Sequence, residues 1–258
     1  MGQPAGEFSI FTSEGLECKL TSGVATIRWL VDRITWQGLN EFRHICGLIH
    51  EDERVQVAVL KSRGSDFSHG VDLSDKELIA AVAKDGGKTV AEVGADAVQA
   101  WANLPFCTIA ALDGYVIGGG ACLAMASDFR CATASSTLWF PEIDRGMYLS
   151  WGIIPRLIHE VGLPMARRLA ILGEAIPLSD LPVDVCRITE NLDHTILALT
   201  RQLLTKPRGA VGLIKQSFLD HCLAVDDFGD KDIERFMQSI DSQAFAALMN
   251  AWLEDRNR

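Results

Sequence analysis

Apolar residues recur at near-alternate positions on both sides of Ser22-Gly23, in Leu16 to Leu20 and in Val24 to Leu30, a pattern that predicts an opening β-hairpin. The period then lengthens. Leu39, Phe42, Ile45, Cys46 and Ile49 fall at helical spacing within Trp36 to Ile49, and the apolar run Val55 to Leu60 follows as a strand, which completes a β-α-β unit. Ser74 to Val93, with Lys84-Asp85-Gly86-Gly87-Lys88 inside it, reads as a polar, flexible surface stretch before a helix over Ala95 to Leu104. Cys107 to Leu112 is a core strand, a helix is expected from about Gly119 to Ser127, and strands are expected at Phe129 to Thr133 and Leu138 to Phe140.

From about Ile153 the pattern changes. Pro164 to Leu172, Leu192 to Lys206, Gly209 to Leu223 and Asp230 to Arg256 have helical character, and strand-like runs become rare. The expected organisation is an α/β core over residues 1–190 followed by a helical region over 191–258. Phe236, Ile240, Phe245, Leu248 and Trp252 form apolar positions that need a partner. The charges at Asp226-Asp227 and across Asp230 to Arg235 are expected to be solvated.

Composition narrows the possibilities. A chain of 258 residues with 48% hydrophobic content can bury one substantial core. A net charge of −10 and the lack of a Lys/Arg cluster argue against a nucleic-acid partner. The small, polar stretch Met1 to Ser9 has no targeting pattern, and no apolar run reaches the length of a membrane span, so no membrane association is expected. Seven irregularly spaced cysteines, including Cys46, Cys107 and Cys131 within apolar stretches, fit reduced core thiols and a cytoplasmic location. Neither a metal site nor a bound cofactor is expected.

Three segments carry the candidate chemistry. Gly118-Gly119-Gly120 lies between an apolar strand and a helix start, where backbone N–H groups can hold an oxyanion. Phe67-Ser68-His69-Gly70-Val71-Asp72-Leu73 precedes it, and Phe140-Pro141-Glu142 follows. The ordered set, together with Ala110 to Tyr115, Leu123 to Asp128, Gly173-Glu174, Lys206-Pro207 and Lys215, resembles the crotonase (enoyl-CoA hydratase/isomerase) superfamily across nearly the whole chain.

That resemblance implies a crotonase-like ββα-superhelix core with helical C-terminal coverage. It also implies an acyl-CoA or acyl-carrier thioester as substrate, with coenzyme A present only as part of it, and assembly as a homotrimer or dimer of trimers. It places the oxyanion N–H donors at His69 and Gly119 and a catalytic carboxylate at Glu142. Hydratases of the superfamily use a second glutamate, at the position held here by Cys122. Adding water requires taking one proton and delivering another, and a thiol is a poor substitute for that carboxylate.

A lone glutamate is similar to the arrangement in Δ3,Δ2-enoyl-CoA isomerases, which makes proton shuttling by Glu142 the leading expectation. A divergent hydratase, a decarboxylase, a C–C hydrolase or a noncatalytic acyl-CoA-binding homologue stays open. Ser150 stands where dienoyl isomerases and aryl-CoA dehalogenases resemble one another in placing an aspartate, and Asp144 is a second carboxylate candidate only if its segment is extended. Cys122, Trp139, Ser150 and Trp151 are expected to line the pocket. Asp72 is expected to anchor its turn. The segment Tyr148 to Gly152 replaces a glycine-rich turn, pointing to a reshaped acyl pocket, and the usual Asn-Arg-Pro segment is absent around Val31 to Ile34.

Overall fold

The computed structural model describes residues 7–222 and 228–256. In chain order its elements are β1 (Phe8–Thr12), β2 (Leu16–Thr21), β3 (Val24–Trp29), α1 (Trp36–Glu51), β4 (Val57–Ser62), α2 (Lys76–Asp85), α3 (Lys88–Ala102) and β5 (Cys107–Leu112). There follow β6 (Tyr115–Ile117), α4 (Gly118–Met125), β7 (Phe129–Ala132), β8 (Thr137–Trp139), α5 (Ile153–Ala170), β9 (Ile176–Pro177) and β10 (Arg187–Ile188). The described chain closes with α6 (Leu192–Leu203), α7 (Arg208–Cys222), α8 (Phe228–Ile240) and α9 (Gln243–Arg256).

Seven strands form one sheet in the order β1-β2-β3-β4-β5-β7-β10, and β6-β8-β9 form a second. The β2–β3 hairpin is antiparallel, whereas β3, β4, β5 and β7 pair in parallel. The α1 crossover explains the first parallel pair: Thr35 Oγ1 accepts from Gly38 N at 3.0 Å to start the helix, and its apolar stripe buries Leu39, Phe42, Ile45 and Ile49. Phe42 stacks on Trp29 with centroids 5.7 Å apart and also meets Trp101 of α3. Strand alternation sends Ala58 and Leu60 into this core and Val57 and Val59 to the opposite face, where α6 covers them with Leu192, Ile196 and Leu199.

Several expectations change. Ser74 to Val93 is not a flexible surface stretch: it forms α2 and the start of α3, joined by Gly86 and Gly87 at φ of 66° and 90°. The two glycines punctuate a helical hairpin rather than mark a loop. Asp230 to Arg256 is divided between α8 and α9 at Asp241-Ser242 rather than continuous. Asp226 and Asp227 lie outside the described residues, while Asp232 is 2% exposed rather than solvated. No helix among the described residues is long and apolar enough to cross a membrane.

Candidate active site

The two glycine-containing segments are drawn together by main-chain bonds. Phe67 N donates to Asp113 O at 2.7 Å, Ser68 N to Tyr115 O at 3.0 Å, and Ile117 N to Ser68 O at 2.9 Å. Asp66 tightens the junction by accepting from Tyr115 N at 2.8 Å. Each glycine of the triplet has its own reason. Gly118 adopts φ 53°; a β-carbon on Gly119 would fall 2.6 Å from the Trp151 ring, and one on Gly120 would fall 2.3 Å from Ser68 Cβ. These residues open α4, whose first-turn N–H groups have no intrahelical acceptor.

Glu142 follows the short strand β8 and Pro141, then caps a 3₁₀ turn over Ile143–Arg145. Arg145 N and Met147 N both donate to its carbonyl, at 3.0 and 2.9 Å. The side chain turns inward, so that a β-carbon on Gly118 would lie 3.0 Å from Oε1. Oε2 is buried without a hydrogen-bond partner among the described residues. Burial pushes the carboxyl up to about 7, a value suited to a proton acceptor near neutral pH, with Arg145 opposing part of the rise.

Glu142 faces a cavity of about 380 Å³ that also receives Gly118, Gly119, Cys122, Ser150 and Trp151. Among the described residues it is the only carboxylate on the wall. Asp144 is excluded because the segment turns instead of staying extended; a β-carbon on Gly173 would lie 3.0 Å from its Oδ2. Cys122 lines the cavity as a thiol, with burial pushing its pKa well above the ordinary value, so it does not replace a carboxylate. Trp139 does not line the cavity: its indole Nε1 donates to Gly173 O at 2.8 Å, fixing the connection behind Glu142.

His69 lines the cavity, but its backbone N–H is engaged, donating to Asp32 O at 2.7 Å. The bond flanks a parallel bridge between Ile34 and Val71, in which Ile34 N donates to Gly70 O and Asp72 N to Ile34 O, both at 2.9 Å, while Gly70 N donates to Ser68 Oγ at 3.1 Å. In this segment the Val71 N–H is left without an acceptor among the described residues. The His69 ring contacts Asp66 Oδ2 at 3.2 Å. Asp72 anchors its turn, with Oδ1 accepting from Ser74 N at 3.0 Å and from Ser74 Oγ at 2.6 Å.

Residues that the sequence reading missed close the cavity. Leu78, Ile79 and Val82 come from α2 and Val90 from α3. Phe236 and Ile240 of α8 and Phe245 and Trp252 of α9, four of the apolar positions already marked in the sequence, find their partner here and complete the wall together with Met249. The α8–α9 pair is fastened beside Glu142: Tyr148 N donates to Ser239 Oγ at 2.9 Å, Gly152 N to Asp232 Oδ2 at 3.1 Å, and a β-carbon on Gly146 would lie 2.9 Å from Phe245 N.

This architecture has close structural counterparts. An enoyl-CoA hydratase/isomerase from Mycobacterium paratuberculosis superposes with a TM-score of 0.82 at 18% identity, covering 93% of this chain and 98% of that one. An enoyl-CoA hydratase from Bacillus halodurans gives 0.82 at 16% identity, covering 92% and 99%. These matches define a crotonase-type fold. Residues 33–257 match the enoyl-CoA hydratase/isomerase family, and the chain belongs to it. By sequence it is 28% identical over 229 residues to mouse enoyl-CoA hydratase domain-containing protein 2, mitochondrial, covering 84% of this chain and 76% of that protein. It is 25% identical over 230 residues to the short-chain-enoyl-CoA hydratase of Clostridium acetobutylicum, covering 84% and 85%. The protein is an acyl-CoA enzyme of the enoyl-CoA hydratase/isomerase type.

Proposed function

We propose that the protein isomerises 3-enoyl thioesters to 2-enoyl thioesters. The observation carrying this reading is that Glu142 is the sole carboxylate on the described cavity wall, half-buried, with its Oε2 buried and unpaired among the described residues. Moving a proton between C2 and C4 of one substrate needs a single base that returns what it takes. Hydration needs a second proton-handling group, and at the corresponding position Cys122 is a desolvated thiol.

In the reaction, the Glu142 carboxylate removes a C2 proton and negative charge develops on the thioester oxygen. Gly119 N–H, at the start of α4, donates to that oxygen. The second donor in this reading is Val71 N–H, which has no acceptor among the described residues; for His69 to serve, its 2.7 Å bond to Asp32 would have to open. Protonated Glu142 then delivers the same proton to C4, restoring the carboxylate and leaving the double bond between C2 and C3.

The test is turnover of 3-hexenoyl-CoA to the conjugated 2-isomer, followed by ultraviolet absorbance. Glu142→Gln is expected to lower kcat by about 10²–10⁴-fold, the range for loss of a general base. Full activity in that variant, or faster hydration of 2-hexenoyl-CoA than isomerisation of the 3-enoyl compound, overturns the reading.

A further inference from the structure

Arg145 lies one 3₁₀ turn beyond Glu142 and places a guanidinium on the wall of the otherwise largely apolar cavity. Its guanidinium carbon sits 5.5 Å from the centroid of the Trp252 ring, so an aromatic face holds the group in a defined plane. Its hydrogen bonding is incomplete. Nη1 reaches Pro141 O at 3.4 Å, and Nε is buried with no partner among the described residues.

Neighbouring acids do not complete it. Asp144 lies against Gly173, and neither Asp144 nor Glu142 forms an ion pair with Arg145 among the described residues. Glu142 and Asp144 act on Arg145 as opposite charges without closing on its N–H groups, and Arg33, which lines the same cavity, acts on it more weakly as a like charge. A desolvated guanidinium with open donors is costly unless an acceptor arrives, and its fork of N–H groups matches a carboxylate.

We propose that Arg145 receives a carboxylate carried on the acyl group, so that the substrate is the thioester of a dicarboxylic acid; this rests on the thioester reading above. Arg33 strengthens the positive field at the receiving end. Trp252 keeps the guanidinium fork in orientation. The apolar side chains that α2, α8 and α9 contribute to the same cavity receive the carbon chain.

Binding of saturated thioesters tests this independently of turnover. Calorimetry on the 258-residue protein compares glutaryl-CoA with pentanoyl-CoA, and the N-acetylcysteamine thioesters of the same two acids, which carry no phosphates. Glutaryl is expected to bind about tenfold or more tightly with either carrier, and Arg145→Gln is expected to bring the ratio to about one. Arg145→Lys keeps part of the preference, since it retains charge without the fork.

A wild-type ratio near one overturns the proposal. So does a preference that disappears with the phosphate-free carrier, or one unchanged in folded Arg145→Gln. Should Arg145→Gln fail to fold, the wild-type ratios and the lysine variant decide the matter. Absence of 3-hexenoyl-CoA isomerisation alongside a persistent glutaryl preference would instead defeat only the isomerase reading.

Discussion

The indole of Trp151 fills the space that a side chain at Gly94 would need: a β-carbon there would fall 1.9 Å from Cε2 and 2.0 Å from Nε1. The far edge of the same ring bears on Gly119, where a β-carbon would lie 2.6 Å from Cη2. Trp151 is thus wedged between α3 and the first turn of α4, and its position sets how much room the cavity has beside Gly119. Gly94→Ala is expected to drive the ring toward the cavity, costing about 1–3 kcal/mol in urea unfolding and raising KM more than it lowers kcat. A variant with unchanged unfolding and KM would show that the ring does not hold this place.

Trp151 has φ 65°, an unfavourable conformation for a bulky residue. Asp232 of α8 holds the turn by accepting from Gly152 N at 3.1 Å, although burial raises its pKa and thus opposes its ionisation. Asp232→Ala is expected to cost about 2–4 kcal/mol by leaving that N–H without its acceptor and vacating a buried space. Asp232→Asn keeps an oxygen acceptor and is expected to lose less. Equal losses in chemical denaturation would dissociate the carboxylate's position from the stability of the Trp151 turn.

These two residues show what was legible from sequence alone. The β2–β3 hairpin, α1 and β5 could be read because their apolar residues repeat with the period of their own element. The glycine triplet and Pro141-Glu142 stood out because a few side chains confine their chemistry locally. Gly94 looked like any glycine in a helix, since its reason is a ring 57 positions later in the chain. Asp232 looked like one charge in a polar run because only the folding of α8 over Gly152 buries it. The engagement of His69 N–H was equally hidden: it depends on the backbone of Asp32, which no motif encodes.

Lys215 appeared in the sequence only as a minor landmark, yet it ties α7 to the sheet. Its Nζ donates to Asp128 Oδ2 at 2.7 Å and to Phe106 O at 3.1 Å, while Asp128 also accepts from Thr108 N and Oγ1. Lys215→Met removes the buried cation and leaves Asp128 supported only by neutral donors in this cluster. Thermal unfolding is expected to show a loss of about 3 kcal/mol. Because Lys215 is absent from the cavity wall, kcat measured well below the melting temperature is expected to change less than twofold.

Glu142 is expected to couple activity and stability to pH in opposite directions. Its carboxyl is lifted from 4.5 to about 7 chiefly by burial, so across that window the folded state binds more protons than the unfolded one. Stability from the neutral buried group is fully present below pH 4.5, declines as pH rises, and levels off above about 7. At about 1.4 kcal/mol per pH unit, the total loss is about 3 kcal/mol. Glu142→Gln keeps the shape and cannot ionise. It is therefore expected to match wild type in unfolding free energy near pH 4.5 and to exceed it by about 3 kcal/mol at pH 8.5. Under the proposed isomerisation, wild-type kcat/KM is expected to run the other way, rising about tenfold per unit below pH 7 and flattening above it, since the carboxylate form of Glu142 would accept the C2 proton. Urea titrations of both proteins across this range, set beside the wild-type pH–rate profile, measure the same ionisation twice. A stability gap independent of pH, or a rate plateau beginning near pH 5, would place the ionising group in water rather than in the cavity.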